Sequence, residues 1–265
     1  MQSDTVFAGR VPELYDGTLG PILFQPFAAL LAARLGPGEG EILEVAAGTG
    51  IVTEAMAASR PEARITATDL NQAMLDIAAA KPGLQGVTFA QADLRALPFE
   101  TGRFDAVVCG FGMMFPADKI AAYRELRRVT RAGGRLLFTV WDRIEDNPLQ
   151  HLAELGAGDI FPDDPPRFLS RTPYGYHDPA RIEAELRAAG YGAIAIEALT
   201  PASGETTAQL AAVGGCQGTP LRGEIEARDP DKLGAATERA AARLAARFGP
   251  DRFRGPMRAL LVTAS

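Results

Sequence analysis

Residues 42–50 read ILEVAAGTG, an apolar run with one acid, Glu44, that ends in small residues. The following segment, IVTEAMAA at 51–58, has the composition of a helix start. Many α/β proteins build a nucleotide-sized site from a strand, a tight turn of small residues and a helix. The small turn lets a ligand approach the backbone, and the helix N-terminus offers free N–H groups and the positive end of the helix dipole. The stretch therefore predicts an α/β protein with a ligand site at this turn.

Apolar and helical segments alternate from this stretch to Trp141. The predicted strands are 41–46, 64–70, 87–93, 104–111 and 135–141, and the predicted helices are 51–60, 72–81 and 117–130. Asn71 is a favourable N-cap for the second helix, and Gly133-Gly134 is expected to end the third. This alternation is typical of a parallel sheet covered by helices on both faces. All strand C-termini then lie at one edge, where such proteins bind ligands.

The flanking segments are expected to complete a single domain, with a lead-in at 1–39, a core at 40–142 and a cap with the last strands and inserted helices at 143–265. Residues 24–35 are predicted to be helical, and residues 143–177, rich in Pro, Asp and aromatic residues, to form a loop-rich cap. Asp178-Pro179 is expected to start a helix that runs to about Ala189. The remaining predicted elements are a sixth strand at 192–199, an amphipathic helix at 235–248 and a last strand at 258–263.

Composition and charge argue against several classes of protein. The 265 residues are 47% hydrophobic, carry a formal net charge of −6 and contain no Lys/Arg block longer than a pair, so we expect no nucleic-acid partner. The chain shows no apolar run of about 18 residues and no signal-peptide pattern, so we expect no membrane span and a cytoplasmic location. Two cysteines, Cys109 and Cys216, are too few for a disulfide scaffold or a cysteine metal cluster, so we expect no metal.

The turn departs from the dinucleotide-binding pattern. That pattern requires a third glycine three residues after the second, for close packing of helix on strand. Here Gly48 and Gly50 are followed by Thr53 at the third position. A ligand with a smaller group near the turn therefore fits better than a pyrophosphate.

Three acids mark the ends or the interior of predicted strands. Asp69 lies 19 residues after Gly50, where its carboxylate can accept hydrogen bonds from both ribose hydroxyls. Capping of the next helix is the alternative, but Asn71 is better placed for that role. Asp93 can accept from an adenine amino group or can be an ordinary turn aspartate. Glu44, inside a buried strand, needs a partner and either orients the turn or contacts the ligand.

Five segments, taken together and in order, resemble the class I S-adenosylmethionine-dependent methyltransferases of the small-molecule type, similar to the ubiquinone/menaquinone-biosynthesis methyltransferases. They span about 100 residues and are highly specific as a set. The segments are ILEVAAGTG (42–50), ATDLNQAML (67–75), QADLRALPF (91–99), FDAVVCGFGMMF (104–115) and RVTRAGGRLLFTVW (128–141). The segments VPELYDGTLGPILFQPFA (11–28) and GYHDPARIEAELRAAGY (175–191) resemble the same group.

The resemblance implies a Rossmann-like α/β fold: a seven-stranded, mostly parallel sheet with an antiparallel last strand, helices on both faces and a helical or loop-rich cap. It implies S-adenosyl-L-methionine as cofactor and S-adenosyl-L-homocysteine as product. The implied cofactor-binding residues are Ala46, Gly48, Thr49 and Gly50 in the turn, Asp69 at the ribose, Leu70 and Met74 beside the adenine, Asp93 and Leu94 at the adenine edge, Cys109 and Gly110 at the amino-acid end, and Tyr15 and Phe24 closing over the cofactor.

Ala46 departs from the family pattern, which usually has glycine at this position. A methyl group there is tolerable if φ stays negative, although it narrows the gap to the ligand.

The implied function is in-line transfer of a methyl group to a small apolar or aromatic acceptor. Such an enzyme aligns donor and acceptor and excludes water, and it needs no covalent nucleophile. A general base is needed only if the acceptor loses a proton, and His151 and His177 are the candidates for it. The run Phe111–Phe115 either forms an apolar floor for the acceptor or anchors its loop. Cys109 is expected to be a buried strand residue and not a nucleophile.

The sequence leaves alternative functions open. One is a non-catalytic module that binds S-adenosylmethionine or a protein partner, since this family has few obligatory catalytic residues. An NAD(P)-dependent oxidoreductase is less favoured, because the third glycine and a catalytic Tyr/Lys or His set are missing. A methyltransferase acting on nucleic acid or protein is a third alternative, and the acidic balance disfavours N6-adenine chemistry. The segment after strand four, starting at Cys109-Gly110, also lacks the Asn/Asp-Pro-Pro-Tyr/Phe-like motif of N6-adenine chemistry.

Overall fold

A computed structural model describes residues 11–265, and seven strands in that part of the chain form one sheet. The strands are β1 Glu41–Val45, β2 Arg64–Asp69, β3 Thr88–Gln91, β4 Phe104–Gly110, β5 Thr130–Trp141, β6 Ile194–Leu199 and β7 Ala259–Ala264. Their order in the sheet is β3-β2-β1-β4-β5-β7-β6. The predicted seven-stranded sheet is confirmed.

The pairing and order of the strands identify the edge of the sheet at which a ligand is expected to bind. β1 pairs in parallel with both β2 and β4, β2 pairs in parallel with β3, and β4 pairs in parallel with β5. β7 is antiparallel to β6, as the resemblance implies. Strand order reverses between β1 and β4, because β2 and β3 extend to one side of β1 and the later strands to the other. In open α/β sheets, ligands bind at the strand C-termini beside this reversal.

Helices connect and cover the strands. They are α1 Val11–Leu14, a π-helix Tyr15–Phe24, α2 Gln25–Ala32, α3 Ile51–Ser59, α4 Gln72–Ala79, α5 Lys119–Val129, α6 Pro148–Ile160, α7 Phe168–Arg171, α8 Pro179–Ala188, α9 Ala208–Gln217, α10 Leu221–Arg228 and α11 Leu233–Phe248. Tyr123 of α5 packs on Phe138 of β5, with ring centroids 5.6 Å apart. No helix within residues 11–265 combines the length and apolarity needed to cross a membrane.

The chain divides into two compact units. The sheet unit comprises Phe27–Val140, Tyr176–Leu199 and Ala259–Ser265, and therefore the sheet with α3, α4, α5 and α8. The helical unit comprises the described residues up to Pro26 together with Trp141–Gly175 and Thr200–Arg258. The single-domain assignment with boundaries near 40 and 142 remains a prediction.

The prediction of a loop-rich cap at 143–177 is wrong, because much of this segment is helical. A short 3-10 helix, Ile144–Asp146, precedes the 13-residue α6, which begins with Pro148 at a position where its missing N–H costs nothing. A small-residue face allows α6 to pack closely on α11: a Cβ at Gly156 would collide with the backbone of Ala240. Asp159 of α6 also accepts hydrogen bonds from Arg239 and Arg243 of α11. These contacts between distant segments stabilise a helix whose local composition predicts a loop.

Strand β5 begins earlier than predicted. α5 ends at Val129, and the backbone turns directly into the strand at Thr130, before the glycine pair. The register between β4 and β5 shifts between Phe104 and Ala106, and Gly133 adopts φ +79 inside this irregular stretch. The glycines therefore form a bulge in the ladder and do not end the helix.

The N-terminal helical prediction at 24–35 is shifted. A π-helix at Tyr15–Phe24 runs into α2, which ends at Ala32. Pro21 lies inside the π-helix and has no N–H to donate, so a regular α-helical ladder cannot continue through it. The other predicted elements agree to within about two residues at each end, and α9 and α10 are additional helices in a segment for which the sequence predicts none.

Candidate functional site

The turn after β1 has the left-handed geometry that its glycines predict. Gly48 and Gly50 have φ of +56 and +81. A Cβ at Gly50 would lie 2.9 Å from the Cβ of Ala78, so helix α4 packs closely against the turn. No side chain caps the N-terminus of α3, which starts at Ile51. Its first N–H groups are therefore available to a ligand at the end of the dipole that favours negative charge.

Ala46 contradicts the expectation of a negative φ. Its φ is +52, in the left-handed region that an alanine adopts at a cost of roughly 1 kcal/mol. Phe111, at the end of the neighbouring strand β4, also has a left-handed φ, +56. Two adjacent strand ends at the reversal of strand order thus hold non-glycine residues in strained conformations. Such strain is found where the surrounding structure determines the backbone path closely.

Glu44 is paired inside the protein. Its side chain in β1 is 1% exposed, and the Oγ1 of Thr53 in α3 donates a 2.6 Å hydrogen bond to its Oε2. Burial raises the pKa of Glu44 to about 8; the Thr53 hydrogen bond opposes this shift, and the charge of Asp69 adds to it. Thr53 occupies the position of the missing third glycine, so this position links β1 to α3 through a hydrogen bond. This supports the role of Glu44 in orienting the turn.

Asp69 connects the end of β2 to the glycine turn. Its Oδ2 accepts a 2.8 Å hydrogen bond from the N–H of Gly48, and its Oδ1 accepts one of the same length from the N–H of Asn71. Burial raises the pKa of Asp69, and backbone donors at Asn71, Gly48 and Leu70 oppose the shift. Asn71 is the N-cap of α4, as predicted, since its side chain accepts from the N–H of Ala73 at 3.0 Å. Asp69 therefore holds the turn in place.

Leu70 and Met74 lie next to this acid and turn. Leu70 is 55% exposed, unusual for a large apolar side chain, although a single exposed leucine is not by itself a site. Met74 is buried, and its Cε lies 3.7 Å from where a Cβ on Gly48 would be. The structure thus brings Gly48, Asp69 and Met74 together at the C-terminal edge of β1 and β2.

Asp93 follows β3 and is engaged by a residue that the sequence analysis missed. The guanidinium of Arg95 donates to both of its carboxylate oxygens, with the closest contact, Nη2 to Oδ2, at 2.7 Å. The N–H of Arg95 also donates to Oδ1, and the N–H of Ala96 donates to the carbonyl of Asp93. Asp93 therefore does serve as a turn aspartate. The Arg95 side chain lowers its pKa. Leu94, between them, is half-buried.

The end of β4 packs directly on the start of α3. Cys109 is fully buried in β4, as predicted, and burial raises the pKa of its thiol to about 12. A Cβ at Gly110 would lie 2.7 Å from Cγ2 of Val52, so glycine allows the close approach of strand and helix. The backbone of this strand end lies beside the helix that leaves the glycine turn.

The loop after β4 is anchored. Met113 and Met114 are buried, and Phe111 makes an edge contact with Phe27 at 5.3 Å. Lys119 donates to the carbonyls of Met114 and Pro116, at 3.1 and 2.9 Å. The anchoring role of Phe111–Phe115 is therefore observed, and a role as floor for an acceptor remains a prediction. A lysine at the first position of α5 was the available sequence signal for this contact.

Other predicted site residues are distributed between the two units. Tyr15 and Phe24 belong to the helical unit, where their rings stack at 4.9 Å. Phe24 lies 5.9 Å from Trp141, which stacks on Tyr174 at 5.3 Å, so four aromatic rings form a continuous row. His151 lies on α6 in the helical unit.

His177 lies in the sheet unit, immediately before the N-cap of α8, Asp178. Both this histidine and His151 are half-buried.

Two buried hydroxyls have no partner among the described residues. They are Oγ1 of Thr49 in the glycine turn and Oγ1 of Thr139 in β5, and the two residues are at most 1% exposed. Thr139 is the register partner of Gly110, and its carbonyl accepts from the N–H of Phe111. Buried polar atoms are normally satisfied, so unpaired ones beside the turn and the end of β4 indicate a place for a polar ligand or water.

Comparisons with known proteins agree with this geometry. A family model described as a methyltransferase domain matches residues 42–134. An uncharacterized protein of Mycobacterium tuberculosis is 38% identical over 125 residues, which cover 46% of this chain and 42% of that protein. The chain thus spans less than half the length of that relative. A solved Haemonchus contortus phosphoethanolamine N-methyltransferase 2, in complex with S-adenosyl-L-methionine, shares the fold: the TM-score is 0.61 at 17% identity, and the match covers 99% of this chain and 58% of that one.

Another relative is matched over a larger share of its own length. A demethylmenaquinone methyltransferase of Thermobifida fusca is 33% identical over 171 residues, which cover 60% of this chain and 72% of that protein. The family-model match at 42–134 includes the glycine turn and the strand ends that carry Asp69 and Asp93. Together with the seven-stranded sheet and the family model, this relative shows that the chain belongs to the class I S-adenosylmethionine-dependent methyltransferases.

Proposed function

We propose that the protein transfers a methyl group from S-adenosylmethionine to a small apolar or aromatic acceptor by in-line displacement. The observation that carries this proposal is the hydrogen bond from the N–H of Gly48 to Oδ2 of Asp69. It joins the glycine turn after β1 to the acid that ends β2 at the edge where α/β sheets bind ligands. A preorganised acid and an open backbone turn suit a ligand that combines a ribose with a small charged group.

The residues present fit the cofactor. The uncapped start of α3 and the unpaired Oγ1 of Thr49 offer polar groups at the turn. Asp69 accepts from three backbone donors, Gly48, Leu70 and Asn71, and a carboxylate has about four acceptor positions, so at least one remains for a ribose hydroxyl. When bound, the cofactor supplies an electrophilic methyl group on a positively charged sulfur.

The remaining proposed contacts follow the strand ends. Leu70 and Met74 would lie beside the adenine, Asp93 and Leu94 at its edge, and the backbone of Cys109 and Gly110 at the amino-acid end. Tyr15 and Phe24 are proposed to close over the cofactor. In this assignment the side chains bind, orient and exclude water, and none forms a bond to the methyl group.

An apolar, aromatic acceptor has two lines of support. The Thermobifida fusca relative is named for action on demethylmenaquinone, a quinone-type acceptor. The helical unit also contains the row of rings from Tyr15 through Phe24 and Trp141 to Tyr174. Trp141 and Tyr174 are buried, whereas Tyr15 and Phe24 are partly exposed, and flat aromatic ligands pack favourably on such rings. We therefore propose quinone- or phenol-like acceptors as the substrate class.

A non-catalytic module that binds the same cofactor is the second candidate, because no side chain of the described residues is required as a nucleophile. An NAD(P)-dependent oxidoreductase is less compatible with the turn. The third glycine of the dinucleotide pattern is replaced by Thr53, whose hydroxyl is used by the buried Glu44.

Calorimetry and mass spectrometry together test the proposal. The wild-type protein should bind S-adenosylhomocysteine more tightly than NAD. Asp69→Asn should weaken binding by roughly 1.5–3 kcal/mol for each charge-assisted hydrogen bond lost. Asp76→Asn is the matched control, since Asp76 in α4 is exposed and its side chain accepts a hydrogen bond from Gln72 of the same helix.

Methylated product from a panel of quinols and phenols would support the enzyme. Tight cofactor binding with no product from any acceptor would favour the non-catalytic module. Tighter binding of NAD, or unchanged affinity in Asp69→Asn, would contradict the proposed site.

A further inference from the structure

Both oxygens of the Asp93 carboxylate accept hydrogen bonds from one residue, Arg95. Nε of Arg95 lies 3.0 Å from Oδ1 and 3.1 Å from Oδ2, and Nη2 lies 2.7 Å from Oδ2. The backbone N–H of Arg95 donates to Oδ1 at 2.9 Å. A carboxylate has about four acceptor positions. Three N–H groups of Arg95 make these contacts, and Nε–H is shared between the two oxygens, so each oxygen already accepts from two N–H groups of Arg95.

We propose that Arg95 is a specificity-determining residue of the cofactor pocket, which competes with the 6-amino group of adenine for the carboxylate of Asp93. This inference rests on the proposed contact between Asp93 and the adenine. Arg95 therefore lowers the affinity for adenosyl cofactors below the value that the free carboxylate would provide. It also lowers the discrimination between adenine and hypoxanthine.

The pair can open without disturbing the turn. The side chains of Arg95 and Asp93 are 52% and 32% exposed, and exposed ion pairs contribute about 1 kcal/mol or less. The turn itself is held by the hydrogen bond from the N–H of Ala96 to the carbonyl of Asp93, at 2.9 Å, and by the backbone N–H of Arg95. Movement of the guanidinium therefore leaves the backbone at the end of β3 in place.

The chemistry of the two partners explains the effect on specificity. An ionised carboxylate only accepts hydrogen bonds, whereas a guanidinium only donates them. The 6-amino group of adenine donates, so it competes with the guanidinium of Arg95 for the same two oxygens of Asp93. The 6-oxo group of hypoxanthine accepts, so it finds a donor in Arg95 and is repelled by the bare carboxylate. Arg95 in its observed position therefore brings the affinities for the two bases closer together.

The test compares Arg95→Ala with the wild type by calorimetry, using S-adenosylhomocysteine and S-inosylhomocysteine as probes. The substitution should strengthen binding of the adenosyl compound by about 1.5- to 5-fold, the range that corresponds to an exposed ion pair. The ratio of the two affinities should rise by at least as much. Arg131→Ala is the control: Arg131, whose side chain is 46% exposed, pairs with Asp105, which lies beside the N-terminal ends of β1 and β4. The affinity for S-adenosylhomocysteine and the ratio of the two affinities should both stay unchanged in Arg131→Ala.

Asp93→Asn separates this inference from the contact on which it rests. Weaker binding in Asp93→Asn together with equal or weaker binding in Arg95→Ala would overturn the competition. Unchanged affinity for both probes in Asp93→Asn would overturn the adenine contact and the inference with it. Absence of S-adenosylhomocysteine binding by the wild type would instead contradict the proposed function. Thermal unfolding of each variant confirms that the comparison is between folded proteins.

Discussion

The methyl group of Ala46 occupies the space that a side chain at Gly112 would need: a Cβ on Gly112 would lie 2.5 Å from Cβ of Ala46. The same Cβ would lie 2.6 Å from Sγ of Cys109. The alanine at the end of β1 is therefore accommodated by a glycine in the loop after β4. The two residues form one packing unit at the reversal of strand order, although 66 positions separate them in the sequence.

This relationship predicts the effect of Gly112→Ala on stability. Overpacking should lower the free energy of unfolding by about 1–3 kcal/mol. Ala46→Gly alone should have a small effect, because relief of backbone strain is offset by the greater entropy of glycine in the unfolded chain. The double variant should recover part of the loss, since the contact with Cys109 remains. Urea unfolding of the four proteins measures the coupling, and strictly additive effects would contradict direct packing of these two residues.

Glu44 should make stability depend on pH. Burial raises its pKa from 4.5 to about 8. Between these values the folded protein holds a proton on Glu44 that the unfolded chain has lost. The free energy of unfolding therefore decreases as pH rises, by at most about 1.4 kcal/mol per pH unit, and this decrease ends near pH 8.

Glu44→Gln should remove this dependence, because the amide cannot ionise and its oxygen can still accept from Thr53. The measurement is urea unfolding at pH 5, 6.5 and 8. The difference between variant and wild type should grow in favour of the variant as pH rises. Glu54→Gln, at a partly exposed position of α3 paired with Lys81, serves as the control. Parallel curves for Glu44→Gln and the wild type would show that Glu44 does not titrate in this range.

Neither histidine is expected to be indispensable. His151 lies on α6 and His177 before α8, and alignment with exclusion of water is proposed to supply most of the rate. Once an acceptor is found, His151→Ala and His177→Ala should each retain kcat/KM within about tenfold of the wild type. General-base catalysis contributes about 10²- to 10⁴-fold. A loss near 10³-fold with intact folding and cofactor binding would identify that histidine as a base and point to a protonated acceptor.

The sequence was sufficient for the order of strands and helices around the site. Continuous apolar runs, the small-residue turn at 46–50 and the N-cap at Asn71 are local signals, and the structure has each of them where the sequence predicts it. Parallel pairing then requires the strand C-termini to share one edge, so the positions of Asp69 and Cys109 at that edge also follow from the sequence. The cofactor itself was inferred from a resemblance and not from these patterns.

The tertiary structure alone decided which side chains meet. Helix α6 forms because its small residues pack on α11, which lies about 80 residues further along the chain. The hydroxyl of Thr53 donates to Glu44, and the methyl group of Ala46 packs against Gly112, because strand pairing brings separate segments together. Propensity and spacing act over a few residues, whereas these contacts depend on the folded backbone. The sequence by itself therefore determined the strands and helices and the edge of the sheet where the site lies. The packing of distant segments determined which side chains contact each other at the site and which backbone conformations are strained.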